Sequence, residues 1–146
     1  MNEHGLLYTW QGSDVSLKPL LLMAHSDVRL RRVPILSGRD ELWLKHKQVV
    51  PVNETMTETW THPPFSGHYD GEYIWGRGSE DDKSNLIAML TVIELLLSQG
   101  FRPARTVILS IGFDEEGGAE QSYGARCLAQ ELLSRYGKDG VEMIVS

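Results

Sequence analysis

Residues 17–27 read LKPLLLMAHSD, and this stretch sets the expectation for the fold. Pro19 precedes the apolar run LLLMA, which has the length and boundaries of a β-strand. A continuous apolar run predicts a strand covered on both faces, as in a parallel sheet flanked by helices. His25 and Asp27 follow the run directly, so we expect both side chains where this strand ends.

The chain around this strand alternates strand and helix patterns. Before it, Leu6–Trp10 reads as a strand that ends in the turn-forming residues QGSD. After it, the periodicity predicts a helix over Asn85–Ser98 with Leu86, Leu90, Ile93 and Leu97 on one face and Met89 and Leu96 beside it. A strand in RTVILSIGF, a second helix stopped by Gly137 and a strand within VEMIVS follow. This order predicts crossover connections and a mostly parallel sheet, the α/β class.

Composition narrows the classes of protein to consider. A chain of 146 residues, 41% apolar and 23% charged, is typical of one globular domain with its own core. The net charge of −6 argues weakly against a nucleic acid partner. A single cysteine excludes an internal disulfide framework and a cysteine-based zinc site. No apolar run reaches membrane-spanning length.

Three polar clusters fall where the predicted strands and the first helix meet. His25 and Asp27 follow one strand, residues 114–116 (DEE) follow another, and residues 79–83 (SEDDK) open the helix. Taken alone, a histidine after an apolar strand is more often a residue packed at the end of the sheet. The acidic clusters, taken alone, are more often a solvated loop or a helix start. Because ligands gather at the carboxyl ends of strands in open α/β sheets, the three together predict a metal site. Its imidazole and carboxylates suit zinc, with manganese or cobalt as the other candidates.

The spacing within the clusters has a chemical reading. In an extended segment, residues two apart share a side, so Asp27 can hold the far nitrogen of the His25 ring and orient it. Of two adjacent glutamates at a strand end, one can bind metal while the other accepts a proton from the attacking water. His62 and His68 lie in a Pro-rich aromatic loop, and we expect them to be packing or surface residues rather than ligands.

These motifs resemble a known family. Residues 17–28, 49–90 and 105–118, with YGKDGVEMIV near the end, are similar to the fungal carboxypeptidase S group. That group belongs to the co-catalytic di-zinc peptidase and aminoacylase family, with carnosinase-like and succinyl-diaminopimelate desuccinylase relatives. The order H-x-D, G-R-G-x-x-D-D-K, D-E-E carries the resemblance. It implies a three-layer α/β/α zinc-exopeptidase-like catalytic domain with a mostly parallel sheet.

The resemblance also implies a role for each site residue. His25 would bind one zinc, with Asp27 as its orienting carboxylate, and Asp81 would bridge two zinc ions. Glu115 would be the general base, and Glu116 would bind the second zinc. The implied substrates are small peptides, cleaved at the C-terminal residue, or N-acyl amino acids, and the implied location is the vacuole or the secretory pathway. Oligomeric state and side-chain selectivity stay open.

The chain departs from the family pattern in three places. Arg29–Gln48, which holds six of the fourteen Lys and Arg residues, reads as a retained intron or, alternatively, a genuine surface insertion. The segment after DEE carries a few extra residues. Ser146 stands where the family has a metal-binding acid.

We therefore expect residues 1–146 to be the N-terminal part of the catalytic domain, with the lid domain and the C-terminal half absent. Because three protein ligands are the usual minimum for a catalytic zinc, the sequence predicts weak metal binding and no turnover for this chain alone. The alternative is a non-catalytic remnant with at most weak cation binding.

Overall fold

The structure, a computed structural model, describes residues 5–27, 58–117 and 123–146. The proposed insertion, Arg29–Gln48, lies outside the described residues and stays a prediction. The elements in chain order are β1 (Leu6–Trp10), β2 (Leu20–His25), β3 (His68–Tyr69), β4 (Ile74–Trp75), α1 (Lys83–Ser98), β5 (Val107–Gly112), α2 (Tyr123–Tyr136) and β6 (Met143–Val145). A short 3-10 turn, Glu115–Gly117, lies between β5 and α2.

The main sheet has the strand order β1-β5-β2-β6. β2 runs parallel to both neighbours, pairing Leu20–His25 with β5 and Leu20–Leu22 with β6. β1 is antiparallel to β5 and forms the other edge. Parallel pairing requires a crossover, and α1 lies in the chain between β2 and β5 as one. The predicted α/β class with a mostly parallel sheet is confirmed.

The core is built around β5. Ile108 is completely buried, and Leu21 and Leu128 are each at most 4% exposed. β5 matches the expectation of a strand covered on both faces, since its four central residues are buried. β2 matches it only in part, because Met23 is 36% exposed. Met23 lines an open cavity of about 820 Å³ between residues of β2 and α2, so that face of β2 is incompletely covered.

Helix α1 begins at Lys83, two residues before the predicted start, and its inward face overlaps the predicted one only in part. The row Leu86, Met89, Ile93 and Leu96 is half-buried, whereas the predicted row also contains Leu90 and Leu97, which are exposed. Met89 and Leu96 are the two residues that the periodicity places beside the predicted row. Both rows fit a period of 3.6 residues, because this helix is apolar over much of its circumference. Contact with the sheet, which the sequence does not show, selects between them. None of the described helices has the length and apolar character that a membrane span requires.

Residues 57–78, whose glycines, prolines and aromatic residues predict mostly loop, contain a small hairpin. β3 and β4 pair antiparallel, with His68 opposite Trp75. The rings of His62 and His68 stack with centroids 4.0 Å apart, and Trp75 meets His62 edge-on at 5.1 Å. The two histidines therefore pack against aromatic neighbours, as expected.

Asp114 joins β5 to α2. Its backbone is in the left-handed region, with φ 61°. Its buried carboxylate accepts hydrogen bonds from the backbone N–H groups of Tyr123 and Gly124, each at 3.0 Å. Burial raises the pKa of Asp114 above its usual value, against the lowering effect of these two bonds. The side chain thus satisfies N–H groups at the start of α2 that have no partner within the helix.

We expect Asp114→Ala to lower the free energy of unfolding by about 1–2 kcal/mol, as loss of an N-cap does. Asp114→Asn should lower it less, because the amide oxygen still accepts one bond. Urea denaturation measures both changes. Glu94→Ala, at an exposed acid on α1, is the control and should change stability by less than about 0.5 kcal/mol. Equal stabilities for the wild type and Asp114→Ala would contradict the capping role.

Asp70 should titrate far below an ordinary aspartate. It accepts hydrogen bonds from the backbone N–H of Tyr73, the indole N–H of Trp75 and the backbone N–H of Glu72, which lower its pKa to about 2. A lowered pKa means that these bonds stabilise the hairpin fully above the ordinary value of 3.8 and lose their effect as pH falls through about 2. Carboxyl carbon chemical shifts against pH measure the midpoint, with Asp70→Asn assigning the signal. A midpoint near 3.8 would disprove the bonding.

Candidate active site

The parallel pairing of β2 and β5 places their carboxyl ends side by side. His25, the last residue of β2, stands in register with Gly112, the last residue of β5. The chain leaves β5 through Phe113 and Asp114 and turns immediately into the 3-10 segment that carries Glu115 and Glu116. Parallel register therefore places the H-x-D and D-E-E motifs side by side, although nearly ninety residues separate them along the chain.

The His25 ring is held on both of its nitrogens. Nδ1 lies 2.9 Å from Oδ1 of Asp27, and Nε2 lies 3.0 Å from Oδ1 of Asp81. Nε2 also lies 3.7 Å from Oε2 of Glu115. The structure thus brings together four of the five predicted site residues through their side chains. The His25 side chain is only 12% exposed, which limits the positions that its ring can occupy.

Asp27 connects the strand end to the glutamate turn. One carboxylate oxygen contacts His25, and the other accepts a hydrogen bond from the backbone N–H of Glu116 at 3.3 Å. Asp27 is buried, so these contacts are shielded from solvent. When Asp27 accepts from Nδ1–H, Nε2 faces Asp81, to which it donates a hydrogen bond when the ring is protonated. The contact that the H-x-D spacing predicts is therefore present.

The G-R-G turn delivers Asp81 to the site. Gly78 has φ 78°, a conformation that glycine adopts without strain, and its carbonyl accepts from the backbone N–H of Lys83 at 3.1 Å. The N–H of Arg77 donates to the Pro64 carbonyl at 2.6 Å, which ties the turn to the preceding loop. The Asp81 side chain is 74% exposed, so the backbone of this turn largely decides where its carboxylate lies.

Asp82 has a role that the sequence did not reveal. Its position predicts a helix-start acid, and it is the N-cap residue of α1, but its carboxylate makes no capping hydrogen bond. One oxygen instead accepts from the backbone N–H of His25 at 3.1 Å, and the other accepts from the side-chain amide of Asn85 at 2.7 Å. No sequence signal points to the first contact, because the two residues are 57 positions apart.

The carboxylates of Asp114 and Glu116, unlike that of Glu115, have no described contact with His25. Asp114 caps α2 instead of joining the carboxylate cluster. Glu116 reaches the cluster through its backbone N–H, and its carboxylate as a ligand of a second metal stays a prediction.

The charges around His25 shift its protonation. Burial lowers the pKa of His25, but the hydrogen bond to Asp81, the charge and hydrogen bond of Asp27 and the charge of Glu115 outweigh that effect, so the pKa is raised overall. The three carboxylates around the imidazole stabilise a positive charge placed between them. The same three carboxylates stabilise a proton on the ring, which is why the pKa is raised.

The donor set fits part of a zinc site. Nε2 of His25 lies 3.0 Å from Asp81 and 3.7 Å from Glu115, which brackets the separation of about 3.3 Å between two ligands on a tetrahedral zinc. Across residues 5–27, 58–117 and 123–146, however, no three His, Cys, Asp or Glu side chains are grouped so that they could hold a metal ion. His25 and Asp81 are therefore the pair that the described residues offer.

Comparison with known proteins identifies the family of the chain. The sequence model of "Peptidase family M20/M25/M40" matches residues 44–146. Carboxypeptidase S of Saccharomyces cerevisiae is 50% identical over 147 residues, which cover 99% of this chain and 22% of the relative. An uncharacterized carboxypeptidase of Schizosaccharomyces pombe, C24C9.08, is 40% identical over 99% of this chain and 20% of its own length.

A human relative carries a different activity in its name. The N-fatty-acyl-amino acid synthase/hydrolase PM20D1 of Homo sapiens is 38% identical over 92% of this chain and 22% of its own length. The chain thus spans about a fifth of the length of the curated relatives that it matches. Because the family model covers more than two thirds of the residues, the chain belongs to peptidase family M20/M25/M40.

Proposed function

We propose that this chain forms the N-terminal part of the catalytic domain of a zinc-dependent exopeptidase or amidohydrolase. The observation that carries the proposal is the His25 ring, held between Asp27 and Asp81 with Glu115 3.7 Å from Nε2. Three acids and an imidazole from three separate segments converge at the carboxyl ends of β2 and β5, where α/β enzymes place their chemistry.

The metal would be held by His25 and Asp81, with Asp81 as the bridge and Glu116 as ligand of a second ion. Zinc suits this set of nitrogen and carboxylate donors best, and manganese and cobalt are the other candidates. When bound, such ions polarise a carbonyl group and make a water molecule more acidic.

The side chains supply orientation and proton transfer. Asp27 fixes the ring of His25 so that Nε2 is directed toward the site. Glu115, whose side chain is 60% exposed, is accessible from solvent and lies beside the ligand pair. Its carboxylate is placed to take a proton from the attacking water and to return it to the leaving amine.

The names of the relatives support a class of substrate. Carboxypeptidase S and N-fatty-acyl-amino acid synthase/hydrolase both act, by name, at an amide or peptide bond of an amino acid. We infer that the substrate here is a small peptide cleaved at its C-terminal residue, or an N-acyl amino acid. The resemblance to fungal carboxypeptidase S supports a vacuolar or secretory location, and the net charge of −6 gives no support to a nucleic acid partner.

One observation favours a second candidate function. The described residues contain no group of three donors arranged for a metal ion. This supports a non-catalytic role for the 146-residue chain on its own, with at most weak cation binding at His25 and Asp81.

Zinc titration of the purified 146-residue chain tests the ligand pair. Because His25, Asp81 and Glu116 would give each of two ions only two protein ligands, we expect binding weaker than micromolar and no detectable hydrolysis of an N-acyl amino acid. His25→Ala should abolish the binding measured by calorimetry, whereas the control His62→Ala should not change it. Equal loss in both variants would show non-specific binding by histidines.

The adjacent glutamates provide a matched pair of variants. Glu115→Gln should leave zinc affinity within about threefold, because a general base is not a ligand, and should remove any hydrolysis present. Glu116→Gln should weaken zinc binding by tenfold or more, on the order of the loss expected at a metal site. Calorimetry measures the affinities. The reverse ranking would exchange the roles of the two residues.

A further inference from the structure

The backbone N–H of His25 has a side-chain acceptor where a strand would ordinarily supply a main-chain one. The N–H of the next residue, Ser26, donates to the Gly112 carbonyl of β5 at 3.0 Å. Because successive N–H groups of a strand point to opposite sides, that of His25 points away from β5, toward the side of β6.

Asp82 supplies the acceptor on that side of β2. Its Oδ2 accepts the His25 N–H at 3.1 Å, and its Oδ1 is braced by the Asn85 amide at 2.7 Å. The helix N-cap position would ordinarily direct this carboxylate to the first N–H groups of α1, and here it makes no such bond. The carboxylate thus joins the start of α1 to the end of β2.

We propose that Asp82 is a positioning residue that sets the distance between His25 and Asp81. Asp81 is its direct neighbour in the chain, so the anchor on the His25 backbone also fixes where the Asp81 side chain begins. The Asp81 carboxylate is 74% exposed and needs such an anchor to stay 3.0 Å from Nε2. The inference rests on the proposed function in so far as these two residues are metal ligands.

The role requires an acceptor atom and not a charge. An asparagine at position 82 can present its carbonyl oxygen to the His25 N–H, while the Asn85 amide reverses to accept from the new side-chain N–H₂. An alanine offers neither bond. Asp82→Asn should therefore keep the hydrogen bond to the His25 N–H that Asp82→Ala removes.

The test uses the full chain as wild type, Asp82→Ala, Asp82→Asn and the control Glu80→Ala, an exposed acid in the same turn. NMR hydrogen exchange without metal should show the His25 amide exchanging at least tenfold faster in Asp82→Ala and within threefold of wild type in the other two. Zinc affinity from an NMR titration should fall about 10- to 100-fold in Asp82→Ala only, the loss typical of groups that orient ligands.

The outcomes separate this inference from the proposed function. A wild-type chain that binds no zinc would overturn the metal assignment, while His25 exchange would still decide the role of Asp82. Unchanged exchange in Asp82→Ala, or equal loss of zinc affinity in Asp82→Asn and Asp82→Ala, would overturn the positioning role. If Asp82→Ala does not fold, Asn85→Ala removes only the brace. It should then speed His25 exchange at least threefold, and no change would again refute the proposal.

Discussion

The candidate site depends on the parallel register between β2 and β5. Leu20 pairs with Val107 and His25 with Gly112, so the two strands end together. A slip of one residue would turn His25 to the other face of the sheet, away from the glutamate turn. The buried residues Leu21 and Ile108, which stand opposite each other in this register, oppose such a slip because it would expose them to water.

Carboxylates make most of the connections that build the site on this register. Asp27 joins the end of β2 to the turn of Glu116, Asp82 joins it to the start of α1, and Asp114 joins the end of β5 to the start of α2. In each case a side chain satisfies a backbone N–H that lies at the end of a regular element. The same loops then hold the exposed acids Asp81 and Glu115 beside His25, although each is mostly in solvent.

Much of this arrangement follows from the order of residue types, and some of it does not. The apolar runs before His25 and Asp114 predict β2 and β5 because each has a strand's length and ends in polar residues. The face of α1 that packs on the sheet was predicted only in part, since Leu86 and Ile93 are half-buried but Leu90 and Leu97 are exposed. The cap of α2 by Asp114 and the bond from His25 to Asp82 could not be predicted, because no local pattern records a partner ten or 57 residues away.

The sequence by itself determined the chemistry that is available: one imidazole, several carboxylates, and glycines where the chain must turn toward them. It also determined the α/β class, because hydrophobic periodicity depends only on neighbours along the chain. The tertiary structure alone decided which acid meets which atom. Asp81, Asp82 and Asp114 are the same residue type, and they act as a predicted ligand, an anchor and a helix cap. Their difference arises from the backbone groups that folding places within hydrogen-bond distance of each carboxylate.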